Sequence, residues 1–357
     1  MDAVMLVGGK GTRLRPLTMS APKPMLPVAG VPVTAHMLAR ARDAGIDRVV
    51  LATSYKAEVF EEYFGDGSSL GIELAYVTET EPLGTGGAIR NVAGFLRSKP
   101  DDPVVIFNGD ILSGLDIAAL IDRHQTADTA VTLHLTQVED PRAFGVVPTD
   151  DDGRVTAFLE KTPDPPTNLI NAGCYVFRRS VIDQIPAGRP VSVERETFPG
   201  LLAGGVPIAA YADSTYWLDL GTPAAFVRGS RDLVQGRIAS SALPGPVGES
   251  LVLGGATIAA DAKLCGGATV GAGASVGCGA TVDGAVLFDG SSVGDGAVVR
   301  DSVVGRDAVI CDGVQLDGVV VGDGARIEPG NELRAGVRVF PGATLLAGCV
   351  RFSSDKA

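Results

Sequence analysis

From Ile258 to Leu345 an apolar residue returns at a step of six, and this register constrains the fold more than any other feature of the chain. The series runs Ile258, Leu264, Val270, Val276 and Val282, then Leu287, Val293 and Val299, then Val304, Ile310 and Leu316. It finishes at Val321, Ile327, Leu333, Val339 and Leu345. Small residues fill most of the intervening positions, as in Gly271-Ala272-Gly273-Ala274-Ser275. A six-residue period fits neither an α-helix nor an alternating strand. It fits a unit of one short strand and one turn, three units closing a triangular coil whose apolar side chains stack inside. The step shortens to five before Leu287, Val304 and Val321, so five-residue units recur every 17 positions. The shortened turns are predicted to stack along one corner, with Asp283, Arg300 and Asp317 in a single edge ladder.

The N-terminus follows another rule. Ala3-Val4-Met5-Leu6-Val7 is a continuous apolar run, as expected for a buried parallel strand. It leads into Gly8-Gly9-Lys10-Gly11-Thr12-Arg13-Leu14-Arg15-Pro16-Leu17-Thr18, followed by Pro22-Lys23-Pro24. Glycines after a strand let backbone N–H groups approach a phosphate closely. Residues 3–42 carry six Lys/Arg and no Asp/Glu in a chain of net charge −12, a contrast that points to a polyanionic ligand. The string is not a P-loop, and Leu14 stands where the dinucleotide fingerprint needs its last glycine.

Composition bounds the rest. Aromatic residues are only 5% of the chain while glycines number 47, which requires close-packed backbone somewhere. The positive mean hydropathy does not imply a membrane protein, because no run of about 18 apolar residues occurs. The N-terminus enters its first strand without a basic leader region, so a soluble cytoplasmic protein is expected. The acidic balance argues against nucleic acid as a partner. Cys174, Cys265, Cys278, Cys311 and Cys349 are odd in number and lack C-x-x-C spacing. Reduced, mostly buried thiols are therefore expected rather than disulfides or a zinc site.

Between these landmarks, helices are predicted over 32–44, 56–64, 85–96 and 222–235. Strands are predicted over 48–53, 73–77 and 104–107. Their alternation implies a doubly wound parallel sheet, with ligands bound beyond the carboxyl ends of the strands. Further strands over 129–138, 145–147, 155–160 and 170–177 extend the sheet, partly antiparallel. Asp150-Asp151-Asp152-Gly153 reads as a solvated hairpin tip rather than a metal site. The expected organisation is an N-terminal α/β domain at 1–238, a linker at 239–250, a β-helix at 251–350 and a tail at 351–357.

The Gly8–Leu17 string with Pro22-Lys23-Pro24 resembles the signature of the nucleoside-diphosphate-sugar pyrophosphorylases, the sugar-1-phosphate nucleotidylyltransferases. The repeat region resembles a left-handed hexapeptide β-helix. Together they imply an α/β fold: a Rossmann-like mixed-sheet nucleotidyltransferase domain followed by that β-helix. The resemblance implies a nucleotide cradle of Leu6, Gly8, Gly9, Gly11, Thr12 and Arg13, with Lys23 at the α-phosphate. It implies that Asp110, in Asn108-Gly109-Asp110, and Asp219, in Trp217-Leu218-Asp219-Leu220-Gly221-Thr222-Pro223, hold Mg²⁺. Glu79-Thr80-Glu81-Pro82-Leu83-Gly84-Thr85-Gly86-Gly87 would form the base pocket, with free N–H groups at Gly84–Gly87 and either Glu79 or Glu81 facing the base. Gly145, Glu160, Lys161, Asn171 and Glu194 would hold the sugar phosphate. Catalytic roles then fall to Arg13, Lys23 and Lys161.

Leu83-Gly84-Thr85-Gly86-Gly87, Phe144-Gly145-Val146-Val147 and Ile170-Asn171-Ala172-Gly173 look most like the strings of mannose-1-phosphate guanylyltransferases. This implies GTP and mannose 1-phosphate as substrates and a homo-oligomer formed through the β-helix. Thr162 departs from the proline common after Glu-Lys, and Gly86 from a frequent alanine. A uridylyl-, thymidylyl- or adenylyltransferase acting on glucose 1-phosphate remains open, as does a non-catalytic nucleotide-sugar-sensing subunit. An acyltransferase reading is disfavoured because His36, His124 and His134 all precede the repeat.

Overall fold

A computed structural model describes residues 1–54 and 56–351. Of the expected tail at 351–357, all but Arg351 lies outside the described residues. The chain divides into two compact units: Met1–Gly9 with Met37–Trp217, and Lys10–His36 with the chain from Leu218 onward.

The first unit is built on a nine-stranded mixed sheet. Across it run Leu159–Glu160, Gly145–Val146, Leu169–Arg178, Pro103–Asn108, Asp2–Leu6, Arg48–Thr53 and Glu73–Thr78. Val131–Gln137 pairs antiparallel with Leu169–Arg178 and parallel with Ile208–Asp213. Asp2–Leu6 lies between two parallel neighbours and is nearly all buried, which explains its unbroken apolar run. The predicted mixed α/β sheet is what forms.

Several local expectations need correction. The helix placed at 56–64 begins at Glu58, because Lys56 sits at φ 54°, in the left-handed region. The helix placed at 85–96 spans Gly84–Asn91 and gives way to a 3₁₀ turn at Ala93–Phe95, where Gly94 weakens an α-helical turn. Only Leu159–Glu160 of the strand placed at 155–160 pairs regularly, and Val155 makes an isolated bridge to Thr149. Between them Asp150 Oδ1 accepts from the Asp152 and Arg154 amides, fixing a turn. The helix Ile117–Ala127 was not anticipated, although Asp116 caps it through the Ala119 amide at 3.0 Å. It buries Ile117, Leu120, Ile121 and His124, a helical spacing.

In the second unit the six-residue register builds a left-handed β-helix of three parallel sheets. Val270, Leu287, Val304, Val321 and Val339 stack in one interior column. Val276, Val293, Ile310 and Ile327 form the second, and Val282, Val299, Leu316 and Leu333 the third. All of these side chains are buried. The edge ladder forms as expected: Asp283 pairs in register with Arg300, Arg300 with Asp317, and Asp317 with Arg334. All five cysteines are free, but only Cys174 is buried. Cys278 and Cys349 are exposed, because turn positions of the repeat face solvent.

His36 ties the Lys10–His36 segment to Ser240. Its Nε2 lies 2.9 Å from the Val28 carbonyl oxygen and its Nδ1 2.7 Å from Ser240 Oγ. Burial lowers its imidazole from the ordinary value to about 4. The unfolded chain therefore takes up this proton near pH 6.5 and the folded chain only near 4. Stability is present above that window and is lost as pH falls through it, by up to about 3 kcal/mol. Urea midpoints from pH 7 to 4 should fall less steeply in His36→Gln than in the parent. Parallel slopes would refute the assignment.

Candidate active site

A cationic cluster is assembled within the second unit. Gly11 adopts a left-handed conformation (φ 55°) and starts a 3₁₀ turn over Thr12–Leu14. The Thr18 hydroxyl donates to the Gly11 carbonyl at 2.9 Å. A Cβ on Gly11 would lie 2.9 Å from Lys23 Cβ and 2.9 Å from Thr18 Cγ2, so only glycine fits. Lys23, between Pro22 and Pro24, opens a further 3₁₀ turn over Lys23–Met25 and is only 9% exposed. Its Nζ stands 3.5 Å from Asp219 Oδ1, and Arg13 Nη2 stands 3.9 Å from Asp219 Oδ2. Asp219 lies just ahead of the Pro223–Val234 helix, whose start Thr222 caps through the Ala225 amide at 3.2 Å. Gly221 is small for a reason: a Cβ there would lie 2.5 Å from Arg13 Nη2. Two cations thus converge on one carboxylate that is itself part-exposed. Thr12 and Arg13 face solvent.

In the first unit, Gly8 and Gly9 are exposed at the end of the Asp2–Leu6 strand, and Leu6 is half-buried. The Gly9 amide donates to Ser54 Oγ at 3.2 Å, and a Cβ on Gly8 would lie 2.9 Å from that oxygen. Ser54 was not singled out in the sequence, and its position just after a strand end is its only signal. Glu79 Oε2 accepts from the Leu83 amide at 3.1 Å, and burial raises its carboxyl above the usual range. Glu81 is exposed.

The expectation of free amides at Gly84–Gly87 is corrected for Gly86 and Gly87. Gly86 and Gly87 donate to the Val191 carbonyl at 2.8 and 3.1 Å, and a Cβ on Gly84 would lie 2.7 Å from that oxygen. The glycines there serve close backbone approach. Thr85 Oγ1 donates to Glu194 Oε2 at 2.8 Å and accepts from the Val193 amide at 3.0 Å. Ser192 Oγ donates to the same Glu194 oxygen at 2.7 Å. Thr85 and Glu194, assigned in the sequence to base and sugar, therefore meet each other. Asp110 follows Gly109, whose amide donates to the Leu6 carbonyl at 2.9 Å and which has no room for a side chain. That crossing fixes where the backbone of Asp110 stands.

Of the residues expected to hold a sugar phosphate, Gly145, Glu160 and Asn171 lie on neighbouring strands with Lys161 directly after one of them, whereas Glu194 sits apart on the Val193–Thr197 turn. Glu160 is directly opposite Gly145, where a Cβ would lie 3.0 Å from Glu160 Oε2. Lys161 Nζ is 3.8 Å from Glu160 Oε1, and its side chain is 61% exposed. Lys161 holds φ at 54°, an uncommon conformation for a non-glycine residue and a form of strain that concentrates at functional sites. Asn171 lies beside a bulge in the long strand: its Oδ1 accepts from the Gly173 amide and its Nδ2 donates to Tyr175 Oη at 2.7 Å. Tyr175 is fully buried, and burial raises its phenol well above the ordinary range. Trp217 Nε1 donates to the Ala172 carbonyl at 2.9 Å, and its ring packs edge-on against Phe144. This packing joins the Trp217–Asp219 strand to the segments that carry Gly145 and Asn171.

A mixed sheet with a glycine loop after its Asp2–Leu6 strand in one unit, and an acid-linked cation pair with a β-helix in the other, define an α/β protein with a β-helix. The nucleotidyl transferase family model matches residues 2–236, and the GMPPB C-terminal domain model matches residues 247–347. The chain belongs to the nucleotidyl transferase family. It is 58% identical to a mannose-1-phosphate guanylyltransferase of Mycobacterium tuberculosis, across 99% of this chain and 98% of that protein. It is 40% identical to the mannose-1-phosphate guanylyltransferase catalytic subunit beta of Drosophila pseudoobscura pseudoobscura, across 64% of this chain and 61% of that one. Among solved structures it is similar to HddC from Yersinia pseudotuberculosis, at 28% identity and a TM-score of 0.57. That match covers 65% of this chain and 98% of HddC.

Proposed function

We propose that this protein is a mannose-1-phosphate guanylyltransferase, converting GTP and mannose 1-phosphate to GDP-mannose and pyrophosphate. A phosphate oxygen of the sugar attacks the α-phosphorus in line as the bond to the β-phosphate oxygen breaks. The observation that carries this reading is the convergence of Arg13 and Lys23 on Asp219. Two like charges 4 Å apart repel by about 4 kcal/mol at an effective dielectric near 20, so joining two anions needs cations first. In this reading a triphosphate takes over Arg13 and Lys23, which leaves the Asp219 carboxylate for a divalent ion. Lys161 neutralises the sugar phosphate, and Glu160 accepts from sugar hydroxyls. The choice of guanine and mannose rests on the names of the relatives.

Asp110 and Asp219 are the proposed carboxylates for Mg²⁺. Among the described residues no three His, Cys, Asp or Glu side chains gather into a closed metal cage. Two carboxylates fit an ion that completes its shell with phosphate oxygens and water, as Mg²⁺ does. When bound, such an ion supplies charge neutralisation on the phosphates. We further propose a cytoplasmic enzyme that assembles as a homo-oligomer through the β-helix. No helix among the described residues is long and apolar enough to cross a membrane.

Pyrophosphate release measured over four nucleoside triphosphates against mannose, glucose and other hexose 1-phosphates tests the reading. GTP with mannose 1-phosphate should give the highest kcat/KM. A preference for UTP, dTTP or ATP with glucose 1-phosphate would replace it, and no turnover with any pair would leave a sensing role.

A further inference from the structure

The β-helix carries a stripe that its own core does not use. Leu251, Thr269, Val286, Val303, Val320 and Arg338 stack in register on one face. Each precedes a residue of the column that starts at Val252 and continues through the interior residues Val270 to Val339, so the stripe points away from the β-helix interior. The outward columns of the other two faces are polar or half-exposed: Thr257, Ser275, Ser292, Val309, Arg326 and Thr344 on one, and Lys263, Thr281, Val298, Gln315 and Glu332 on the other. On this face Leu251, Thr269, Val286, Val303 and Val320 are instead at most 3% exposed.

Both ends of the stripe show what lies on it. Thr269 Oγ1 is 3.0 Å from Ser230 Oγ, and Ser230 Oγ accepts from the Ala29 amide at 3.0 Å. At the other end Arg338 Nη1 donates to the Arg15 carbonyl at 2.7 Å. Ala29 and Arg15 belong to the Lys10–His36 segment that carries Arg13 and Lys23. The Arg15 amide donates to the Thr12 carbonyl at 3.2 Å, and Thr18 closes on Gly11. Arg15 is therefore locked to the turn that holds Arg13, and moving one moves the other.

We propose that the β-helix is the seat of the phosphate loop, and that Arg338 is a positioning residue for nucleotidyl transfer. It acts through the Arg15 carbonyl and touches no substrate. The kinetic part of this inference rests on the function proposed above; the structural part does not. Losing one such hydrogen bond should raise KM for the nucleoside triphosphate, or lower kcat, by about three- to tenfold.

The test compares Arg338→Ala, Arg338→Lys and the control Arg334→Ala, an exposed arginine of the neighbouring face whose partner is Glu332. Amide hydrogen exchange over residues 12–19 is read first, in the full-length protein without ligand. Faster exchange in Arg338→Ala, at an unchanged unfolding temperature and with no change in Arg334→Ala, supports the seat. Steady-state kinetics with the best substrate pair should then show the KM or kcat change in Arg338→Ala, with recovery in Arg338→Lys. Unchanged exchange and unchanged kinetics in Arg338→Ala would overturn the proposal. So would equal effects in Arg334→Ala. Faster exchange in a protein inactive on every substrate pair would overturn the proposed function while leaving the seat in place.

Discussion

Asp219→Asn is expected to lower kcat by about 10²- to 10³-fold, the scale seen when one preorganised electrostatic group is lost from an active site. Asn keeps the shape of the side chain but gives up the charge that Lys23 and Arg13 face and that a divalent ion would bind. The fold should persist. Asp219 is about a quarter exposed, so solvent screens much of the pair, and the stability cost should stay near 1 kcal/mol. Asp110→Asn is expected to lower turnover similarly. The measurement is kcat across a Mg²⁺ titration together with the unfolding temperature of each variant. Near-parental Mg²⁺-dependent turnover in both variants would sink the metal assignment.

Lys23→Met is expected to cost a comparable 10²- to 10³-fold in kcat, for a different reason. Methionine fills the volume of the lysine stem, so packing against Gly11 survives while the charge is lost. Lys23→Arg should not restore the rate. The lysine is a compact point charge in a nearly closed position, and a planar guanidinium needs space that this position lacks. Lys10→Met serves as the comparison, since Lys10 is exposed in the same loop and should change kcat less than about threefold. Equal losses at Lys10 and Lys23 would mean that general loop charge matters rather than this position.

How far the sequence could be read differs from place to place. The β-helix register was legible residue by residue, because every coil repeats the same local contact and the pattern needs no distant information. The edge ladder followed from the spacing of the five-residue units. The long apolar runs gave the parallel strands, while Val155 and the 85–96 helix were over-read, since short apolar segments do not reveal where pairing stops. The Ile117–Ala127 helix was missed despite a capped, helically spaced apolar face. The glycines of Gly84–Gly87 were visible, but their reason was not. They make room for the Val191 carbonyl, a neighbour more than a hundred residues away in the chain.

The residue types needed to handle phosphate, and the order in which they come, were set by the chain alone. So was the stacking register of its last third, because both depend on contacts among near neighbours or identical repeats. Only tertiary structure decided that Arg13 and Lys23 share Asp219, that Thr85 and Glu194 bond each other, and that an apolar outer stripe of the β-helix is buried. Each of these is a meeting of segments far apart in sequence, where packing and charge pairing are settled together and no local pattern records the partner.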